Sequence, residues 1–364
     1  TFAIELSSPN AILIDVDSGK ILYEKEAYEQ VYPASTTKIL TAILALENCA
    51  LGEKVTASYD AIMSVPYDGS TASMMNARAR ELGAKSTNFV NANGLHDDNH
   101  KTTVYDMAIL SRYAFRNFEE FREAAKMINF SLPDTKIYNK GDRKFVNTNK
   151  LIIPNSSYYY EHATGIKTGY TSKALNCIIA SAEKDGVELI AVVFGAYGAE
   201  NRTEDVKKLF EYGFQQLKSA VFLNVGEPLK IVKVPGASTS DNTLIAVLSK
   251  NIVHAIPAEK VASDYSPQIS INPDLKAPIT SGDVIGKVAY EIEGNTFEYD
   301  LIASKDVDSL VENVTAGVVK ITKAIGKVIF WAVLSIIGIF IGLILLRASI
   351  ISKKQKMRRM RRIK

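Results

Sequence analysis

Ser35-Thr36-Thr37-Lys38 sets a hydroxyl and an amine three residues apart. On a helix that spacing puts both side chains on one face, one turn apart. A neutral or proton-sharing lysine there can accept the serine proton, while the helix N-terminus helps to stabilise an anion. The spacing by itself is cheap, since Ser181-Ala182-Glu183-Lys184 repeats it. That second copy falls on a strand-like run ending in Lys184-Asp185-Gly186, where the two side chains diverge. Ser35 is therefore the candidate nucleophile. Lys167-Thr168-Gly169 occurs once, between Thr164-Gly165-Ile166 and Tyr170-Thr171. A cationic strand edge carrying a hydroxyl and a glycine can hold a substrate carboxylate and let its backbone come close.

The elements that must position these groups can be read from periodicity. Residues 11–16 and 21–23 predict two strands joined by a tight turn at Asp17-Ser18-Gly19-Lys20. Pro33 precedes a helical stretch, Ser35 to Glu47, whose apolar side holds Ile39, Leu40, Ile43, Leu44 and Leu46. Helices are expected over 74–82, 106–115, 118–127 and 203–217, and buried strands over 175–182 and 188–195. Helices flanking a sheet give an α/β body over residues 1–218. From 219 to 303 short β-rich runs (229–234, 243–248, 268–271, 284–290 and 296–302) predict a small all-β domain, with a hairpin turn at Glu293-Gly294-Asn295. Apolar residues at three- and four-residue steps then predict an amphipathic linker helix over 304–327.

Residues 328–346 are apolar except for Ser335, Gly338 and Gly342, and as a helix they would span roughly 28 Å, enough to cross a bilayer. Arg347 and the cations of the tail, 347–364, follow. The positive-inside rule puts that tail in the cytoplasm and residues 1–312 outside. The tail could bind anionic lipid or serve only as a stop-transfer signal. The net charge of +3 hides this asymmetry: twelve Lys and Arg lie after Glu312, leaving 31 against 40 Asp and Glu before it. A body near −9 argues against nucleic acid as a partner. The chain begins at Thr1 without a charged or apolar leader, as expected of an exported protein whose signal peptide has been removed, or of a trimmed chain.

Several segments carry a resemblance. Ala11-Ile-Leu-Ile-Asp, Pro33-Ala-Ser-Thr-Thr-Lys-Ile-Leu-Thr, Asn93-Gly-Leu-His with His100-Lys-Thr-Thr and Asp106-Met-Ala, Asn147-Thr-Asn-Lys-Leu, and Gly165-Ile-Lys-Thr-Gly-Tyr-Thr stand in one order. With Val193-Phe-Gly-Ala, Arg202 and the β-rich region after them, they resemble the serine D-alanyl-D-alanine carboxypeptidases, low-molecular-mass penicillin-binding proteins of type 5/6, over nearly residues 10–303. The resemblance implies a penicillin-binding, β-lactamase-like transpeptidase domain with a sheet flanked by helices. It implies that Ser35 forms an acyl-enzyme with peptidoglycan stem peptides ending in D-Ala-D-Ala, and with β-lactams, and that water then hydrolyses it. Lys38 would be the general base, Lys167 and Thr168 would bind the terminal carboxylate, and the N–H groups of Ser35 and Tyr170 would form the oxyanion hole. Gly169 lies between them. Arg202 would attract the carboxylate or make a salt bridge at a helix start. No metal and no cofactor is implied.

The sequence departs from the family in its middle. The family places an S-x-N on a helical segment between S-x-x-K and K-T-G. Five S-x-N triplets occur here, beginning at Ser8, Ser86, Ser240, Ser249 and Ser270, and only Ser86-Thr87-Asn88 has the right order. It aligns instead with the family's Thr-Asn-Phe-x-Asn stretch. Between Pro66-Tyr67 and Met75-Asn76 the family carries several dozen more residues, whereas here only 68–74 remain. The expectation is an internal deletion that removed the S-x-N, leaving a hydrolase or, alternatively, a catalytically impaired descendant that binds or scaffolds at the wall. An ordinary β-lactamase is disfavoured by the β-rich domain, the anchor and the lack of a recognisable deacylating Glu motif. Leu175 also stands where the family has glycine. Three further features are weighed. His96-Asp97-Asp98-Asn99-His100 reads as a turn rather than a metal site. Tyr158, Tyr159 and Tyr160 read as a loop rather than a glycan platform. Cys49 and Cys177 could pair, but two buried free thiols are expected.

Overall fold

The computed structural model describes residues 4–53, 70–133, 141, 143–238 and 242–360. Contacts between Cα atoms divide the chain into two compact units. One holds residues 1–224, 251–268 and 289–298, and the other holds 225–250, 269–288 and 299–364.

In the first unit, strands β1 (Asn10–Asp15) and β2 (Ile21–Lys25) are followed by a 3₁₀ turn over Ala34–Thr37 and helix α1 (Lys38–Asn48). Helices α2 (Ser70–Glu81), α3 (Val104–Asn117) and α4 (Glu119–Lys126) come next. Then come a hairpin, β3 (Asn129–Leu132) and β4 (Arg143–Val146), the strands β5 (Ala163–Thr171), β6 (Leu175–Lys184) and β7 (Val187–Ala196), and helix α5 (Ala199–Gln216). β1, β2, β5, β6 and β7 form one antiparallel sheet in the order β2-β1-β7-β6-β5, so Lys167-Thr168-Gly169 sits on an edge strand.

Both faces of this sheet are covered, and alternation along the strands sorts the side chains. Ile12, Ile14, Ile179, Ile190, Val192 and Phe194 pack with residues of α1 to α4. Leu13, Ile178, Ala180, Leu189, Ala191 and Val193 pack with Val206, Leu209 and Phe210 of α5. This explains why 189–196 reads as a continuous apolar run: a strand covered on two sides has no solvent face. A short pair, β8 (Leu217–Leu223) with β11 (Ile252–Pro257), completes the unit.

The second sheet has the order β12-β13-β14-β10-β9, built from β9 (Lys230–Lys233), β10 (Thr243–Leu248), β12 (Gln268–Ile271), β13 (Val284–Ile292) and β14 (Asn295–Ala303). The β13–β14 turn consists of Glu293 and Gly294 at φ +48° and +81°, the paired positive values a two-residue hairpin turn needs. Helix α6 (Leu310–Met360) is continuous, and its Gly317–Arg347 stretch is long and apolar enough to cross a membrane.

Several boundaries differ from expectation. The helix expected from residue 74 starts at Ser70, so 70–74 of the short segment are helical; Pro66 to Gly69 lie outside the described residues. The linker helix begins at Leu310, not at 304, because Val307 is buried in an antiparallel bridge to Ile279. Periodicity did not reveal β3, β4, β8 or β11. Cys177 is buried and Cys49 is exposed at the end of α1; both are free thiols, so the expected pair of buried thiols is corrected for Cys49.

Candidate active site

Ser35 lies in the 3₁₀ turn, not in the first turn of an α-helix as expected, and Lys38 begins α1. Pro33 suits the start of such a turn, since its φ is preset and it lacks an N–H to satisfy. Ala34 carries the strain: its φ is +47°, a left-handed value that costs an L-residue roughly 1–2 kcal/mol. Hydroxyls hold the turn from within. Thr36 Oγ1 donates to the Pro33 carbonyl at 2.6 Å and Thr37 Oγ1 to the Ala34 carbonyl at 2.8 Å.

Two glycines press on this turn from opposite directions in the chain. A Cβ added to Gly94 would lie 1.9 Å from the Ala34 carbonyl oxygen, and Gly94 has φ +85°. A Cβ on Gly169 would lie 3.0 Å from Ala34 Cβ and 3.1 Å from the Ser35 nitrogen. The glycine of the 167–169 strand edge thus lets β5 reach the Ser35 backbone, the close approach for which glycine is suited.

Lys38 Nζ donates to Ser35 Oγ at 3.2 Å and to the Asn93 carbonyl at 2.5 Å. The Lys38 side chain keeps solvent access, yet partial burial of its ammonium lowers its pKa. Lys167 Nζ donates to the Thr168 carbonyl at 2.8 Å; burial lowers its pKa, and the charges of Lys38 and Arg202 lower it further. Lys38 and Arg202 both lie near enough to Lys167 for their charges to act on it, a cluster of three cations that attracts an anion. Thr168 is buried, and its hydroxyl lies 2.5 Å from Thr148 Oγ1. Tyr170 is exposed, next along β5. Arg202, in the first turn of α5, donates to the carbonyls of Cys177 at 3.1 Å and Gly169 at 3.4 Å, while its buried Nε has no partner. Among the described residues it makes no ion pair, so the helix-start salt bridge is absent.

The remaining candidates fall elsewhere. The Ser86 N–H donates to Asp106 and its carbonyl accepts from Gln30, while Asn88 bonds Asn76, Asn99 and Lys101. Among the described residues neither hydrogen-bonds Ser35, Lys38 or Lys167. Ser240 lies outside the described residues. Ser181 is fully buried against Thr164, with its neighbour Lys184 over the Phe214 ring. Leu175 adopts φ +55°, a left-handed conformation that suits the glycine the resemblance implies at that place. His96 lies against Asp98 and the Tyr32 ring, whereas His100 bonds Thr37 and Val90. Tyr160 stacks on Phe210 and donates to Glu211, and Lys150 lies over the Tyr158 ring. Three contributors escaped the sequence reading. The Asn93 carbonyl is a backbone atom, which no residue type announces. Thr148 and His100 stand inside segments that carry the resemblance, Asn147-Thr-Asn and His100-Lys-Thr-Thr, with no role of their own assigned.

A sheet covered by helices, with a serine and lysine on a turn against a Lys-Thr-Gly edge strand, defines the penicillin-binding class of serine enzymes. The family model for D-alanyl-D-alanine carboxypeptidases matches residues 2–72 and 67–198, and that for the C-terminal domain of penicillin-binding protein 5 matches 222–309. The chain belongs to the D-alanyl-D-alanine carboxypeptidase family, whose members are serine enzymes. Among its relatives are the D-alanyl-D-alanine carboxypeptidase DacF of Bacillus subtilis, 28% identical over 82% of this chain and 85% of the relative, and DacA of Haemophilus influenzae, 25% identical over 92% and 91%. Two solved structures share the fold. Streptococcus pneumoniae PBP3, a peptidoglycan synthesis regulatory factor, superposes with a TM-score of 0.67 at 21% identity, covering 84% of this chain and all of the other. Haemophilus influenzae penicillin-binding protein 5 gives 0.55 at 24%, covering 85% and all.

Proposed function

We propose that this protein is a membrane-anchored serine hydrolase that removes the terminal D-alanine from peptidoglycan stem peptides. Ser35 attacks the carbonyl between the two D-alanines, with Lys38 as the base, and the resulting acyl-enzyme is hydrolysed by water. Lys167, Thr168 and Arg202 draw in the terminal carboxylate, Gly169 allows close approach, and the N–H groups of Ser35 and Tyr170 receive the oxyanion. Penicillins acylate the same serine. The observation that carries this reading is the hydrogen bond from Lys38 Nζ to Ser35 Oγ within a cluster of three cations.

The catalytic domain comprises residues 1–218 and is shortened around 68–74; the β-rich domain runs from 219 to 303. The anchor, 328–346, leaves the catalytic domain outside the cytoplasm and the tail, 347–364, within it. Two observations support the shortening. The family model breaks and resumes at 67–72, and the alignment with the Bacillus relative has several dozen more positions than this chain supplies residues. The absent S-x-N makes turnover slow. It also sustains a second reading, a wall-binding scaffold, because a backbone carbonyl, that of Asn93, is the second acceptor of the Lys38 ammonium.

Labelling the full chain in detergent with a fluorescent penicillin separates the two. Covalent label that disappears in Ser35→Ala and persists in Ser181→Ala supports the hydrolase. No label on the native chain favours the scaffold, and label surviving Ser35→Ala overturns the nucleophile.

A further inference from the structure

His100 stands behind the nucleophile turn and is 2% exposed. Its Nδ1 is 2.9 Å from the backbone nitrogen of Val90, which can only donate, so Nδ1 accepts and carries no proton. A neutral imidazole then bears its proton on Nε2, 2.8 Å from Thr37 Oγ1. The Thr37 hydroxyl has already given its proton to the Ala34 carbonyl at 2.8 Å, so it receives the Nε2–H. The result is a directed chain: Val90 N–H to His100, His100 Nε2–H to Thr37, Thr37 O–H to the Ala34 carbonyl. Every polar atom of the buried ring is satisfied, and in one tautomer only.

The two ends of this chain matter. Ala34 is the residue at φ +47° immediately before Ser35, so the relay terminates on the strained peptide that aims the nucleophile. Val90 begins the stretch that continues to Asn93, whose carbonyl accepts from Lys38, and to Gly94, which presses on Ala34. One imidazole therefore ties the segment that locates the base to the turn that locates the serine.

We propose that neutral His100, as its Nε2–H tautomer, is a positioning residue for acylation: through Thr37 it holds the Ala34–Ser35 peptide, and through Val90 it keeps the Asn93 acceptor of Lys38 in register. The inference rests on Ser35 as the nucleophile. Misplacement by a fraction of an ångström slows acylation without weakening initial binding, because the substrate-binding cations are not part of the relay.

The test is the rate constant for acylation of the full chain by a chromogenic cephalosporin, measured apart from the dissociation constant of the initial complex. His100→Gln can still present an N–H to Thr37, and Thr37→Ser keeps the hydroxyl; both should stay within a few-fold of the native rate. His100→Asn, too short to reach Thr37, and Thr37→Val, isosteric without the relay, should each lose about tenfold, the worth of one such hydrogen bond, with the dissociation constant unchanged. The double variant should be no slower than either single one. Equal rates for the Gln and Asn variants, or fully additive losses, would overturn the proposal. If the native chain does not acylate at all, the nucleophile reading fails first. The ¹⁵N shifts of the His100 ring then decide the relay alone: an unprotonated Nδ1 and protonated Nε2, disturbed by Thr37→Val, support it, and the opposite tautomer refutes it.

Discussion

The Lys38 ammonium donates to the Asn93 carbonyl at 2.5 Å, closer than its 3.2 Å approach to Ser35 Oγ. An acceptor that favours the charged amine opposes the burial that lowers its pKa, and burial prevails. Acylation should therefore rise with pH as Lys38 loses its proton, at a midpoint below that of a free lysine. Loss of the Lys167 charge, whose pKa is also shifted down, opposes that rise by releasing the carboxylate. A pH profile of the acylation rate checks this. Lys38→Arg, which stays charged, should lose about 10²–10⁴; an undiminished rate in that variant would show that Lys38 is not the base.

The two glycines against the nucleophile turn should differ in tolerance. Gly94→Ala drives a methyl into the Ala34 carbonyl and forces a left-handed alanine, so it should abolish labelling and lower Tm. Gly169→Ala meets its neighbours at 3.0–3.2 Å, which shifts of a few tenths of an ångström relieve. That variant should fold and acylate more slowly, by about tenfold or more. The reverse ranking, by labelling and thermal melting, would count against the packing described.

Burial lowers the pKa of His100 from the ordinary 6.5 to about 4, outweighing the pull of Asp97 upward; His96 adds a downward push. The folded chain holds this ring neutral while the unfolded chain protonates it below 6.5. Its contribution to stability is thus intact above pH 6.5 and drains away as pH falls toward 4, a few kcal/mol in all. Thermal melts across that window should show a decline that is smaller in His100→Gln. An identical slope in the variant would mean that other groups account for it.

With the S-x-N missing, Ser86→Ala and Asn88→Ala should leave the acylation rate within a few-fold, since Ser86 is held through its backbone by Asp106 and Gln30 and the Asn88 side chain bonds Asn76 and Asn99. Restoring a relative's segment between Asp68 and Met74 should raise kcat/KM on a D-Ala-D-Ala peptide by about 10²–10⁴, the usual worth of a positioned proton donor. Turnover at a full-length relative's rate by the chain as it stands would contradict this.

Protease added to intact cells, or to spheroplasts where an outer membrane is present, should digest residues 1–312 and spare the tail after Arg347. A protected body would reverse the orientation.

How much of this could be read in advance follows from where each atom comes from. Ser35, Lys38 and Lys167 to Gly169 belong to contiguous motifs whose spacing reflects their chemistry, and the structure brings both motifs together. The strands expected over 175–182 and 188–195 are observed at Leu175–Lys184 and Val187–Ala196, legible because two covered faces demand stretches as apolar as 177–180 and 189–196. The hairpin β3–β4 was not: Phe130, Phe145 and Val146 are exposed, so no burial pattern marks it. The glycine expected at 175 was noticed as a type but not as a conformation until φ +55° appeared. His100 was missed because its partners, a backbone N–H and a threonine sixty-three positions away, share no sequence pattern.

The pairing of β1 with β7 has a consequence for biogenesis. The first strand, with the nucleophile turn soon after it, must wait for residues beyond 187 before its edge can be closed. A chain emerging N-terminus first, or threading through an export channel, therefore carries Ser35 long before it carries a working centre. Until the seventh strand arrives, β1 keeps an open edge of unpaired backbone, the kind of exposed edge that invites misassociation and that chaperones shield.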